Sequence, residues 1–204
     1  PLYLRYNKVG EIMITKGVYS ATCSILNDDF SLNVDATIDH ASSSISGGLH
    51  GVIFFGSTGQ SQLIDLNSKK SLIYKISSQK LRKNFFLGTG CNSLKETLDL
   101  IKYGFEYEFK DFLIMPPAYY KGNSEQGVYD FYKHIIEKIP KIRIVLYNFE
   151  KLSSFLFTPE FVSKLVSDFP KNIIGVKDSS YNLYENLKIK NFLVFLGSKA
   201  KLLK

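Results

Sequence analysis

In Asn172-Ile173-Ile174-Gly175-Val176-Lys177 the four residues from Ile173 to Val176 are apolar on both faces. Such a run is expected of a parallel strand covered by helices on one side and by core on the other. Outward from it, similar short apolar runs lie at residues 17–23, 50–55, 84–87, 110–115, 142–147 and 192–196, giving seven strand candidates with 172–177. Between them, patterns of helical period occupy 34–46, 67–82, 93–107, 124–137, 159–168 and 183–188. Several open on cap-type residues such as Ser93 and Ser124, and Thr158 before Pro159 forms an N-cap followed by a first-turn proline. Regular strand and helix alternation is the signature of repeated βα units around a parallel sheet, an α/β fold.

Periodicity alone does not separate a closed barrel from an open doubly wound sheet. The missing GxGxxG after the first strand counts against a dinucleotide-binding fold. No linker or low-complexity stretch divides the chain, so the expectation is an N-terminal extension over 1–16 and one domain over 17–204.

The 204 residues, 45% hydrophobic and 22% charged, suffice for one sizeable core. The net charge of +7 is spread along the chain rather than gathered in a block, which favours small anions over nucleic acid as partners. No apolar run approaches the roughly 18 residues of a membrane span, and a cytosolic protein is expected. Cys23 and Cys91 belong to no CxxC or Cys/His cluster and read as reduced, buried small residues. His40, His50 and His134 stand apart, so no metal site is expected.

Polar residues at the ends of apolar strands are the places to look for chemistry. Lys177 ends its strand where desolvation disfavours the charged amine, and a neutral amine is what attacks a carbonyl. The competing reading is a lysine that reaches the rim or pairs with Asp178. Tyr147 ends the preceding strand, where its phenol could move a proton near Lys177 or simply pack. Gly56-Ser57-Thr58-Gly59 follows the second strand and forms a tight turn whose N–H groups could face a carboxylate. Pro116-Pro117-Ala118-Tyr119-Tyr120 follows the fourth and presents tyrosines on a stiffened loop.

Together these places resemble the N-acetylneuraminate lyase and dihydrodipicolinate synthase superfamily of pyruvate-dependent class I aldolases, over about Gly17 to the end. Its GTTGE or GSTGE turn is similar to Gly56–Gln60, its AGTG segment to Leu87-Gly88-Thr89-Gly90, and its PYY segment to Ala118–Tyr120. Its YN motif resembles Tyr147-Asn148, and its GxKD/E strand end resembles Gly175–Asp178.

The resemblance implies a (β/α)8 TIM barrel. In it Lys177 forms a Schiff base with a 2-keto acid such as pyruvate, Tyr147 relays the proton, and Gly56, Ser57, Thr58 and Gly59 hold the carboxylate. Tyr120 corresponds to a tyrosine that reaches a neighbouring subunit's site. The resemblance further implies a homo-dimer or homo-tetramer acting on small keto acids and aldehydes, with no metal or organic cofactor.

Departures bear on the substrate. Asn148-Phe149-Glu150-Lys151-Leu152-Ser153 lacks the arginine with which dihydrodipicolinate synthases bind the second substrate's carboxylate, so a sugar acid is expected over lysine biosynthesis. Gly197-Ser198-Lys199-Ala200 lacks the acidic pair of sialic acid lyases, which points to a shorter sugar acid. Gln60, Ile25 and Tyr181 replace a glutamate, a proline and a glycine. Alternatives are a 4-hydroxy-tetrahydrodipicolinate synthase and a non-catalytic keto-acid-binding paralogue. Ending at Lys204, the sequence stops inside the seventh βα unit, so a truncated barrel is expected.

Overall fold

Successive side chains of a strand point to opposite faces, and in this chain each face has its own core. The computed structural model describes residues 14–197. Its strands are β1 (Tyr19–Ala21), β2 (Gly51–Phe54), β3 (Phe85–Gly88), β4 (Asp111–Ile114), β5 (Arg143–Asn148), β6 (Ile173–Asp178) and β7 (Leu193–Leu196). They form one sheet in sequence order, each neighbouring pair parallel. The helices are α1 (Val34–Ser46), α2 (Leu66–Ser77), α3 (Leu94–Glu106), α4 (Glu125–Lys138), α5 (Glu150–Ser153) and α6 (Pro159–Asp168). Strand order that never reverses is barrel winding, not that of a doubly wound sheet. The described residues thus supply seven strands of a truncated (β/α)8 TIM barrel, as expected.

The outer face of the sheet, with Val52, Phe54, Phe85, Phe112, Leu146 and Val176, packs under the helices. The longer helices answer with apolar stripes, such as Leu72, Ile73 and Ile76 on α2 or Val128, Tyr132, Ile135 and Ile136 on α4. The inner face builds a second core from Ile53, Phe86, Leu113, Val145 and Tyr147. Ile14 closes its lower end, buried there with its N–H donating 2.6 Å to Asp111 Oδ2. Across the interior, the rings of Tyr19 on β1 and Phe195 on β7 meet edge to face at 5.5 Å, so the two outermost strands of the arc curve towards each other.

The expected N-caps form. Ser93, Ser124 and Thr158 accept the N–H groups of Glu96, Gly127 and Phe161 respectively. Two expectations need correction. Residues 183–188 make a single turn instead of a helix, with the N–H groups of Asn186 and Leu187 both donating to Leu183 O. Leu183 is buried in the core and Leu187 packs against it half-buried, while the N–H groups of Leu183 and Tyr184 are taken by Asp178. Cys23 is exposed rather than buried, since it lies beyond the end of β1; Cys91 is half-buried, and both are free thiols. Residues 1–13 of the expected extension, and the reading placed on Ser198-Lys199-Ala200, lie outside the described residues.

Tyr132 is fully buried and its hydroxyl donates to Ile114 O at 2.9 Å, joining α4 to the end of β4. Tyr132→Phe keeps the packing and removes that bond, and is expected to lower stability by about 1 kcal/mol in urea unfolding. An unchanged midpoint would show the bond to be energetically neutral.

Candidate active site

The site is built at the C-terminal ends of the strands, the end at which βα loops leave a barrel. β5 and β6 run in register with Tyr147 opposite Lys177, so both side chains turn to the interior. Lys177 Nζ lies 4.0 Å from the centroid of the Tyr147 ring. The phenolic oxygen of Tyr147 is 2.8 Å from Ser57 Oγ, across the barrel mouth on the loop after β2. Tyr147 therefore touches the amine with its face and the turn hydroxyl with its edge. Lys177 is half-buried, not sealed from water as a strand-end lysine could be. Its ammonium reaches Ser179 Oγ at 3.4 Å, while Asp178 bonds elsewhere, so the expected alternative of a Lys177–Asp178 pair does not form.

The turn after β2 is held by its own backbone. Gly59 and Ser61 N–H donate to Gly56 O, and Gln60 N–H to Ser57 O. Among the described residues, the N–H groups of Ser57 and Thr58 have no acceptor, which leaves them as donors for an anion. Gly59 is required by space, because a Cβ there would come within 2.8 Å of Thr22 O. Phe55, just before the turn, is buried yet sits at φ 59°, a left-handed conformation that a bulky residue adopts only under tertiary constraint.

A cavity of about 300 Å³ opens beside this turn. Gly56, Ser57, Gln60, Gly90 and Tyr147 line it together with apolar walls from Phe55, Leu63, Leu113, Met115 and Leu152. No charged side chain is among its described lining. The structure brings Ser57, Gly56 and Tyr147 together there, with Lys177 behind the Tyr147 ring rather than on the cavity wall. Thr58 is exposed, and Gly59 is buried beneath the turn. Tyr120 is 80% exposed and stacks edge to face on Tyr119 at 5.1 Å, away from its own chain's cavity.

Two departures from the superfamily pattern acquire physical reasons. Tyr181 stands at φ 63°, a conformation that favours glycine and that a tyrosine adopts at some cost. Ile25 N–H donates to Thr37 Oγ1 at 3.0 Å, a bond that a proline could not make.

Lys69, which sequence reasoning passed over, is 2% exposed. Its amine donates to Thr89 O at 3.1 Å and Gly90 O at 3.0 Å, tying α2 to the loop whose Gly90 lines the cavity. Burial holds its ammonium below the ordinary lysine range, opposed by Cys91, Glu96 and Asp65. Burial also pushes the Cys91 thiol up, opposed by Lys69. Between the folded and ordinary values of Lys69 the unfolded chain holds more protons, so the lysine makes stability rise with pH on the alkaline side. Lys69→Met removes that rise and leaves the opposing contribution of Cys91. On going from about pH 7.5 to about pH 10 the urea midpoint of the variant is therefore expected to gain less, or lose more, than that of the unsubstituted protein.

A model of the dihydrodipicolinate synthetase family matches residues 14–203. The chain is 32% identical over 162 residues to the 4-hydroxy-tetrahydrodipicolinate synthase of Thermus thermophilus, a match that covers 76% of this chain and 54% of that protein. It superposes on the 2-keto 3-deoxygluconate aldolase of Picrophilus torridus with a TM-score of 0.78 at 25% identity, over 91% of this chain and 68% of that one. It superposes on the dihydrodipicolinate synthase of Agrobacterium tumefaciens with a TM-score of 0.79 at 24% identity, over 88% and 65%. The chain spans about half the length of the curated relatives it matches. With one family model covering every described residue, and a fold shared with both solved structures, the chain belongs to the dihydrodipicolinate synthetase family.

Proposed function

We propose that this chain carries the imine-forming site of a pyruvate-dependent class I aldolase or lyase. The observation that carries the reading is the single ring of Tyr147, packed on Lys177 Nζ and bonded to Ser57 Oγ. Neutral Lys177 attacks the keto carbon of the 2-keto acid, and loss of water gives a protonated imine. With a longer 2-keto acid the imine accepts the electron pair released when the bond between the third and fourth carbons breaks and an aldehyde leaves; with pyruvate, loss of a methyl proton gives the same enamine, which attacks an aldehyde. Tyr147 moves the proton that each direction requires, with Ser57 as its hydrogen-bond partner. The pyruvate carboxylate sits on the free N–H groups of Ser57 and Thr58. Because the imine is the electron sink, the reaction calls for no metal or organic cofactor.

The aldehyde partner in this reading is the fragment of a short sugar acid. Support comes from Leu152 on the cavity wall and from the absence of charge in the described lining, which leaves a second carboxylate without a counter-ion. A 4-hydroxy-tetrahydrodipicolinate synthase is the competing substrate assignment. Lyase assays with a panel of sugar acids and with aspartate semialdehyde, read as pyruvate released or consumed, separate the two. A homo-oligomer is part of the proposal, supported by the exposed Tyr119–Tyr120 pair, and a reducing cytoplasmic setting is supported by two free thiols.

A second reading, a non-catalytic keto-acid-binding protein, draws on the position of Lys177 behind Tyr147 instead of on the cavity wall. Pyruvate-dependent thermal stabilisation that persists in Lys177→Ala, with no turnover in either protein, would favour it.

A further inference from the structure

Tyr147 and Lys177 are each followed by a fully buried polar residue, Asn148 and Asp178, both 0% exposed. These two are register partners as well, one step beyond Tyr147 and Lys177, and so turn to the outer face of the sheet. Neither lines the cavity.

The Asp178 carboxylate is saturated with donors. Oδ1 accepts Asn148 Nδ2 at 2.8 Å and Tyr181 N at 2.9 Å, while Oδ2 accepts Leu183 N at 2.8 Å and Tyr184 N at 3.1 Å. Asn148 Nδ2 also donates to Asn182 Oδ1 at 2.8 Å, and Asn148 Oδ1 accepts Phe157 N at 3.3 Å. Asn182 Nδ2 closes the ring of contacts on Phe157 O at 2.8 Å. A buried network with these polar groups satisfied admits few alternative arrangements.

What such a lock is needed for lies a few residues upstream. Ile144 pairs with Ile173 but Val145 pairs with Gly175, so Ile174 is an extra residue and the register shifts at that point. Beyond a bulge the upstream pairing no longer dictates which residues oppose one another, and a slip of one position would turn Lys177 away from the interior.

We propose that the Asn148–Asp178 pair, braced by Asn182, is a positioning device. It resets the register of β5 and β6 after the bulge and so sets how Tyr147 and Lys177 face each other. The inference rests on the aldolase reading for its functional meaning, while its geometric content stands on the network alone.

The test uses the intact protein with lysines reductively methylated with ¹³C. Lys177 is assigned by its loss in Lys177→Arg and is expected to show a resonance displaced by the ring current of Tyr147. Asn148→Ala is expected to return that resonance towards the other lysines. In unmethylated protein, the same change should slow borohydride-trapped adduct formation with pyruvate by about tenfold or more, a cost in keeping with a small misplacement of reacting groups. The loss should fall on kcat more than on KM, at a temperature where circular dichroism shows the variant folded.

Asn182→Ala, at the edge of the network, should give a smaller change in the same direction, and it carries the test if Asn148→Ala does not fold. A displaced resonance and trapping rate that both survive in the folded variant would overturn the inference. Absence of any adduct in the unsubstituted protein would instead remove the aldolase reading, with the resonance comparison still deciding the positioning role.

Discussion

Borohydride reduction in the presence of pyruvate is expected to leave one stable adduct, on Lys177, and Lys177→Ala is expected to leave none. The chain holds many lysines, so selectivity has to come from place. Lys177 combines a half-buried amine with contact to the ring of Tyr147, whose hydroxyl meets Ser57 at the cavity. Lys69 is more deeply buried, but two carbonyl oxygens occupy its amine and it is not itself among the described residues lining the cavity. Peptide mapping of the reduced protein by mass spectrometry decides the matter. An adduct confined to Lys69 or to surface lysines would remove the catalytic assignment of Lys177. Turnover is expected to fall below detection in Lys177→Ala, because the change removes the amine packed on the Tyr147 ring.

The second large effect is expected from Tyr147→Phe, with kcat lowered by about 10²-fold or more, the usual scale for loss of a positioned proton donor. The ring stays, so packing on Lys177 and the inner core is kept, while the 2.8 Å contact with Ser57 Oγ is lost. Thermal stability should change little, since Tyr147 OH faces a cavity where water can replace it. Imine formation, followed by trapping, should be affected less than overall turnover, because the phenol is needed most for the proton that accompanies carbon–carbon bond change. Equal losses in trapping and turnover would assign Tyr147 to imine formation itself. No loss in either would reduce it to a packed ring.

Much of this arrangement is legible in the sequence because parallel strands buried on both faces leave a plain mark. Ile173-Ile174-Gly175-Val176 could hardly lie anywhere but inside, and its neighbour 142–147 follows the same rule, so the polar residues at their ends stand out. Asp178 was harder. A carboxylate next to a lysine in sequence invites pairing, yet alternation across a strand sends the two to opposite faces, where loop N–H groups claim the acid. Residues 183–188 carry a helical pattern, but only Leu183 of that stretch is fully buried, and the backbone closes a single turn on Leu183 O.

Lys69 did leave a signal. It sits three residues before Leu72 and four before Ile73, on the apolar stripe of α2, where an ordinary surface lysine would be out of place.

The contact of Tyr147 with both Lys177 and Ser57 also gives the site a built-in optical reporter. The sequence contains 13 tyrosines and no tryptophan, so phenol absorption and emission are not masked by indole. Turning the amine under the Tyr147 ring into a protonated imine alters the charge distribution against that one chromophore, while the distant tyrosines cancel in a difference spectrum. If the proposed imine forms, a difference spectrum is expected to follow it in real time with unlabelled protein, and the amplitude should fall in Tyr147→Phe.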